Sequence, residues 1–345
     1  MKIAVDAMGG DHAPGAVVLG AIQAARRLGI GVTLVGPTAV VEAELGRHAV
    51  SGLSLAIAEA PDVVAMDESP LAALRRKPRS SIRVAAELVA RGEAQALFTA
   101  GHTGAAVMAA HAVFGLIEGI DRPALAVTVP THTGAAVLLD VGASVASRPE
   151  HLAQFGLMGA AYAQALLDVE RPRVGLLSIG EEAGKGTDLI REAHARLATG
   201  PFQFIGNLEA RDLFTGRADV VVCDGFTGNI ALKVGEGLIE AVEKMLREEL
   251  GAELVSQLGS LLTRRAFARF RQRVDSAAYG AAPLLGVAGL TMVGHGRSTP
   301  EAVENGIAMA ARLAEAGIVG RLQEGVRTAR AARADANDAP RPADA

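Results

Sequence analysis

Glycine, hydroxyl and charged residues recur in short clusters along this sequence, each directly after a run of aliphatic residues. "DAMGGDH" follows "KIAV" and offers Asp6, Gly9, Gly10, Asp11 and His12. "TAGHTGAA" follows "AQALF" and brings Gly101, His102, Thr103 and Gly104. "DVGAS" opens on Asp140, and "SIGEEAGKGTD" carries Glu182 and Lys185. "CDGFTGN" holds Asp224, Thr227 and Asn229, and "GHGRS" holds His295. Glycine lets the backbone approach a bound molecule closely. A helix that begins straight after such a turn presents free N–H groups, and these favour an anion. "GHTGAA" and "FTGNIA" fit that plan, with Thr103 and Thr227 near the helix starts. One cluster alone reads as an ordinary loop. Six together read as a crevice for phosphate or another small anion, with Lys185, set between glycines, as a cation beside it.

Other chemistries are poorly served. G-x-G-x-x-G is missing. "GEEAGKGT", Gly180–Thr187, approaches a Walker A loop but is one residue short, and Gly186 stands where a hydroxyl should hold magnesium. Glu181 and Glu182 would repel a triphosphate. Cys223, the one cysteine, ends a buried-looking strand beside Asp224, a setting that raises a thiol's pKa and keeps it inert. No G-x-S-x-G elbow exists. The histidines show no metal-binding spacing, so no metal and no cofactor is expected. His132 and His194 read as structural residues. His12 and His295, in glycine-flanked loops, read as functional ones.

The elements that must position these residues alternate. Strands are expected at "KIAVDA", "VTLVG", "LSLAIAEA", "AQALFTA", "ALAVTVP", "AAVLLDVGA", "RVGLLSIG", "FQFIGN", "ADVVVCDG" and "LTMVG". Helices are expected over 16–28, 80–90, after "GHTG", over 149–167, after Lys185, from Asn229, and over about 299–316. Down one side of the helix at 149–167 run Leu152, Phe155, Gly159, Tyr162 and Leu166. The alternation implies a three-layer α/β sandwich with a mainly parallel, Rossmann-like sheet. Ligands bind at the carboxyl ends of such strands, so all six clusters are expected on one edge. Among 345 residues, 50% are hydrophobic and only 3% aromatic, so Ala, Val, Leu and Ile must fill the core. The net charge of -4 argues against a nucleic-acid partner. No signal peptide and no apolar run near the ~20 residues of a membrane span is evident, and a reducing cytoplasm is expected. After about Thr328 the Ala, Arg, Asp and Pro composition suggests a disordered tail, 329–345.

The longer motifs resemble a known family. "MKIAVDAMGGDHAP", "SSIRVAAELVARGEAQALFTAGHTGA", "RPEHLAQFGLMGAAYA", "RVGLLSIGEEAGKGTDLIREAH", "ADVVVCDGFTGNIALK", "YGAAPLLGV" and "GHGRS" are similar to the bacterial phosphate acyltransferases of phospholipid synthesis. His102 and Ser144 stand where that family usually has Asn, and Ala281 where it has Gly. The resemblance implies a fold similar to phosphotransacetylase and isopropylmalate dehydrogenase, with residues 1–320 as one catalytic domain and 240–276 as a projecting helical hairpin. It implies a homodimer and a reaction between acyl-[acyl carrier protein] and inorganic phosphate, with a glycerol-3-phosphate acyltransferase downstream. In that reaction Lys185 would neutralise phosphate or oxyanion charge, Asn229 and His295 would orient the thioester, and the first glycine cluster would line the pocket floor.

A second surface is expected in "LVSQLGSLLTRRAFARFRQRV", 254–274. Leu258, Leu261, Leu262, Phe267 and Phe270 follow helical spacing and five arginines interleave with them. An amphipathic basic helix can lie on an anionic bilayer or pack on a dimer partner. The resemblance favours membrane contact, hence a cytoplasmic protein peripherally bound to the membrane. Two alternatives stand beside the acyltransferase: a P-loop-like nucleotide-dependent enzyme, and a non-enzymatic membrane-surface scaffold.

Overall fold

A computed structural model describes residues 1–252, 259, 263–267, 269–270 and 280–338. Its strands form one eleven-stranded sheet in the order β3-β2-β1-β4-β11-β10-β5-β6-β9-β7-β8. These are β1 (Lys2–Asp6), β2 (Gly31–Gly36), β3 (Leu55–Glu59), β4 (Ala96–Thr99), β5 (Ala124–Thr131), β6 (Gly134–Leu139), β7 (Arg173–Leu177), β8 (Gln203–Leu208), β9 (Val220–Val222), β10 (Ala282–Leu285) and β11 (Thr291–Val293). The helices are α1 (Gly15–Leu28), α2 (Thr38–Leu45), α3 (Pro70–Arg76), α4 (Ser81–Ala90), α5 (Thr103–Phe114), α6 (Pro149–Leu167), α7 (Asp188–Leu197), α8 (Gly225–Ala252), α9 (Pro300–Glu315) and α10 (Ile318–Asp338).

Successive side chains of a strand point to opposite faces, and the core divides accordingly. Ile3 and Val5 of β1, Phe98 of β4, Val137 and Leu139 of β6, and Val220 and Val222 of β9 join one apolar cluster with α1, α6, α9 and α10. Ala4 and Leu97 face α4 on the other side, and Ala136, Leu138 and Val221 face α5 and the start of α8. This is the expected three-layer arrangement. Small residues bring the layers close. A Cβ on Gly159 of α6 would stand 2.5 Å from Val220 Cγ1, and one on Gly20 of α1 would stand 2.6 Å from Val303 of α9. The expected stripe on α6 is buried throughout.

The sheet departs from expectation in its strand sense. β3, β2, β1, β4 and β11 are parallel. β10 is antiparallel to both β11 and β5, and β5 is antiparallel to β6. β6, β9, β7 and β8 are again parallel to one another. The two parallel blocks therefore run in opposite senses, and the six clusters do not share one edge. The cause is the β5–β6 hairpin, closed at His132 and Thr133, and β10, a four-residue strand between glycines that the sequence pattern does not announce. α2 and α3 were likewise not expected.

The other differences lie toward the end of the chain. α8 spans 28 residues. Leu258, Leu261 and Leu262 of the expected hairpin lie outside the described residues. Phe267 and Phe270 are described, and Phe270 is exposed. α10 continues through Thr328 to Asp338, in a stretch whose Ala and Arg are strong helix formers. Its Ile318, Leu322 and Val326 are buried, so the core extends past residue 320. Residues 339–345 lie outside the description.

Candidate active site

The loops after β1, β4 and β11 pack into one group. The Asp11 amide donates to the Gly296 carbonyl at 2.8 Å. A Cβ on Gly9 would lie 2.7 Å from the Gly101 nitrogen and 2.8 Å from an Asp6 carboxylate oxygen, so only glycine fits there. Asp6 is buried and accepts from Thr99 Oγ1 at 2.8 Å and from the Met8 amide at 3.2 Å. Burial raises its pKa, against bonds from Ser81, Thr99 and Met8. Asp6 thus fastens the first loop to β4. His102 caps α5, its Nδ1 accepting from the Gly104 amide at 3.1 Å. An Asn can fill the same cap, which explains how histidine stands there. Asp11 and His12 are exposed and Thr103 is half-buried.

The loops after β6 and β9 form a second group. Asp140 is fully buried. Its Oδ1 accepts from the amides of Leu125, Gly142 and Ala143, and its Oδ2 from Ser144. Burial pushes the carboxyl up and the four amides pull it down. Asp140 thus anchors its own turn to β5. Ser144 contributes through its backbone, which any residue could supply. Asp224 caps α8: its Oδ1 accepts from the amides of Phe226 and Thr227, and its Oδ2 from Thr227 Oγ1 at 2.6 Å. The helix-start amides expected to hold an anion are therefore already occupied by Asp224, and Thr227 serves the same cap. Cys223 is buried, and burial, Asp140 and Asp224 push its thiol well above the ordinary range.

α8 joins the two groups. A Cβ on Gly228 would lie 1.9 Å from the Asp140 carbonyl oxygen, so the helix start presses directly on the β6 loop. Asn229 Nδ2 donates to the Val141 carbonyl at 3.0 Å. One turn on, Lys233 lies eight residues from Gly225, about 12 Å of helix rise. That distance compensates for the reversed strand sense: Lys233 Nζ stands 3.1 Å from His295 Nε2 in the first group, and 3.0 Å from Glu236. His295 Nδ1 accepts from the Arg297 amide at 3.2 Å. Burial and then the Lys233 cation hold the imidazole below its usual pKa. Lys233 was missed in the sequence reading, although "GNIALK" places it at i+4 from Asn229, on the same helix face.

The β7 loop is a third element. Lys185 and Glu182 are exposed, and among the described residues Lys185 makes no side-chain hydrogen bond or ion pair. Buried Asn207 props the loop, donating to the Glu182 carbonyl at 2.9 Å and pairing with His194. Glu181 is held by Arg217 at 2.6 Å. His194 is thus structural, as expected, and His132 is exposed in the β5–β6 hairpin.

This architecture is that of a three-layer α/β phosphotransacylase-like fold. A phosphotransacetylase from Streptococcus pyogenes superimposes with a TM-score of 0.62, covering 91% of this chain and 94% of that one at 16% identity. A branched-chain phosphotransacylase from Enterococcus faecalis gives 0.56 at 14% identity, covering 90% and 99%. These likenesses concern the fold. The chain belongs to the family described as Fatty acid synthesis protein, whose model matches residues 1–321. It is 49% identical to the phosphate acyltransferase of Geobacter sulfurreducens, across 95% of each chain. It is 50% identical to that of Nitratidesulfovibrio vulgaris, across 91% of each. The protein is accordingly an enzyme, an acyltransferase.

Proposed function

We propose that this chain transfers a fatty acyl group from acyl-[acyl carrier protein] to inorganic phosphate, giving free carrier and acyl phosphate for phospholipid synthesis. The observation that carries the reading is the meeting of Lys233 and His295, one from each half of the sheet, in a site whose only thiol is buried and protonated. Such a site calls for a nucleophile brought in from solution. Phosphate suits, because its second pKa resembles the ~6 of phosphate esters, and it is substantially dianionic near neutrality. One phosphate oxygen attacks the thioester carbonyl, a tetrahedral oxyanion forms, and the carbon–sulfur bond breaks. The departing thiolate, with an intrinsic pKa around 8.5, takes a proton from water. Positioning supplies ~7–11 kcal/mol and an oxyanion donor ~3–4 kcal/mol.

Lys185, exposed and unpaired, neutralises the charge of phosphate or of the oxyanion. Asn229 and His295 orient the thioester, with Lys233 as an added cation between them. The glycine clusters form the walls. The P-loop reading loses support because the loop is one residue short, Gly186 stands where a hydroxyl should hold magnesium, and the relatives named above are phosphate acyltransferases.

The enzyme acts as a homodimer at the cytoplasmic membrane surface. Phe226, Ile230, Val234, Leu238, Val242 and Met245 form an exposed apolar stripe along α8, which supports pairing between copies. Exposed Arg264, Arg265, Arg269 and Phe270 support membrane contact. Among the described residues, no helix is long and apolar enough to cross a membrane. The acyl phosphate would pass to a glycerol-3-phosphate acyltransferase.

Purified protein incubated with acyl carrier thioester and phosphate, then treated with hydroxylamine, tests the reading. Acyl hydroxamate should appear only when both substrates are present. Lys185→Ala should lower its rate by about 10²–10³ with an unchanged melting temperature. No hydroxamate above the phosphate-free control, or a requirement for magnesium nucleotide, would overturn the assignment.

A further inference from the structure

The segment between β3 and α4 contains a charge run that the site described above does not use. From Ser69 to Ala86 there is no acidic residue, while Arg75, Arg76, Lys77, Arg79 and Arg83 fall within nine positions. The chain as a whole has more acids than bases, 38 against 34, so the run is a local exception. Two of the five cations are satisfied internally. Lys77 Nζ donates to Glu68 at 2.5 Å and to the Val63 carbonyl at 2.7 Å, and Arg83 pairs with Glu87 at 3.1 Å. Arg75, Arg76 and Arg79 are exposed, and among the described residues their side chains make no hydrogen bond or ion pair. Arg76 and Arg79 act on Glu68 and Glu59 only through space. Elsewhere on the molecule, Arg27, Arg91, Arg191, Arg196, Arg217 and Arg330 each hold a carboxylate.

The placement of the run matters as much as its charge. Pro70, at the first turn of α3, has its Cγ 2.8 Å from where a Cβ on Gly104 would stand. Met66 Cε lies 3.0 Å from the corresponding point at Gly296. The segment therefore rests directly on the loops after β4 and β11. Its two ends are pinned together where Asp62 bridges Ser80 and accepts from the Ser81 amide. Arg76 stands six residues beyond Pro70, about 9 Å of helix rise from the glycine loops. Met66 and Leu71 are 45% and 49% exposed beside it. Unpaired cations with a small apolar contact, at the rim of a site, fit an acidic protein surface that must deliver a substrate into that site. A bilayer fits less well, because α3 has only seven residues and no continuous apolar face.

We infer that Arg75, Arg76 and Arg79 dock the acidic surface of the carrier protein that presents the acyl thioester. The inference rests on the reaction proposed above. Complementary charge chiefly raises association rate and selectivity, in a salt-dependent way. The strap holds the carrier over the loops at Gly104 and Gly296, where the thioester arm enters.

The test combines binding and turnover. Fluorescently labelled holo acyl carrier protein is titrated with wild-type protein, with an Arg75→Glu/Arg76→Glu/Arg79→Glu variant and with the milder triple Gln variant, at low and at physiological salt. The Glu variant should weaken carrier binding at low salt by about tenfold or more, the Gln variant by less, and both should lose most of the wild-type salt dependence. In turnover, KM for the carrier-borne acyl group should rise while kcat and KM for phosphate stay within about twofold. Unchanged carrier affinity in the Glu variant overturns the inference. So does an equal loss of kcat and of phosphate KM in the Gln variant, which would make the strap part of the pocket. Loss of flotation with anionic vesicles at unchanged carrier affinity would assign the strap to a membrane instead. The carrier titration needs no catalysis, so a wild-type protein that binds carrier yet forms no acyl phosphate would sink the proposed reaction and leave the docking surface standing.

Discussion

Lys233 and His295 meet where the two halves of the sheet come together. Lys233 Nζ stands 3.1 Å from His295 Nε2, while the Arg297 amide donates to Nδ1 of the same ring. A cation and an imidazole side by side form a place where an anionic oxygen would be held. Glu236 accepts a hydrogen bond from the Lys233 ammonium at 3.0 Å. The cation also discourages a second positive charge on the ring, after burial, which is the larger cause of its low pKa. Lys233→Met should therefore raise the His295 pKa part of the way toward its ordinary value, and imidazole resonances followed by NMR against pH should show the move. A variant whose His295 titrates no higher than wild type would remove Lys233 as the electrostatic neighbour. His295, Asn229 and Lys185 stand out in the sequence because each lies among glycines in a cluster after an aliphatic run. Lys233 does not, since a lysine on a long helix looks like any solvated lysine until the fold shows what lies opposite.

The decisive element is α8, and its placement depends on Asp140. The carboxylate gathers four amides of its own turn and of β5, and the resulting knot forms the surface on which Gly225 and Gly228 rest. Asp140→Asn keeps the shape but puts an N–H₂ group against one set of amides. Leaving a buried donor facing a donor costs about 1–3 kcal/mol, and urea denaturation should show a loss of that size. Turnover should fall as well, because a displaced helix start carries Asn229 and Lys233 away from His295. A fully stable, fully active Asp140→Asn protein would argue that the knot is incidental. An acid after a hydrophobic strand, as at Asp140, Asp6 and Asp224, looks the same in sequence whether it anchors a loop or contacts a ligand. Only the positions of the surrounding amides and of Thr99 separate an anchor from a binding group. The strong periodicity of α1, α4 and α6 made those helices readable, whereas α3, with seven residues, carried too little pattern.

At the scale of the whole molecule, the described residues leave an apolar stripe uncovered on α8: Phe226, Val234, Leu238 and Met245 are each about 60% exposed. Contiguous apolar faces of this kind mark association surfaces. On the pairing proposed above, Val234→Glu with Leu238→Glu should turn a dimer into a monomer in size-exclusion chromatography with light scattering. A double variant that elutes as a dimer would place the interface elsewhere. The sequence by itself determined the three-layer α/β class, the cluster residues and the absence of a usable thiol, because all three follow from local composition and periodicity. Which clusters converge was decided only by the tertiary structure. The reversal at β10 and the β5–β6 hairpin turns half of the sheet over, and strand sense is a long-range property set by which edges pair. α8 then bridges the two blocks by its length, joining residues more than sixty positions apart that no local pattern could have paired.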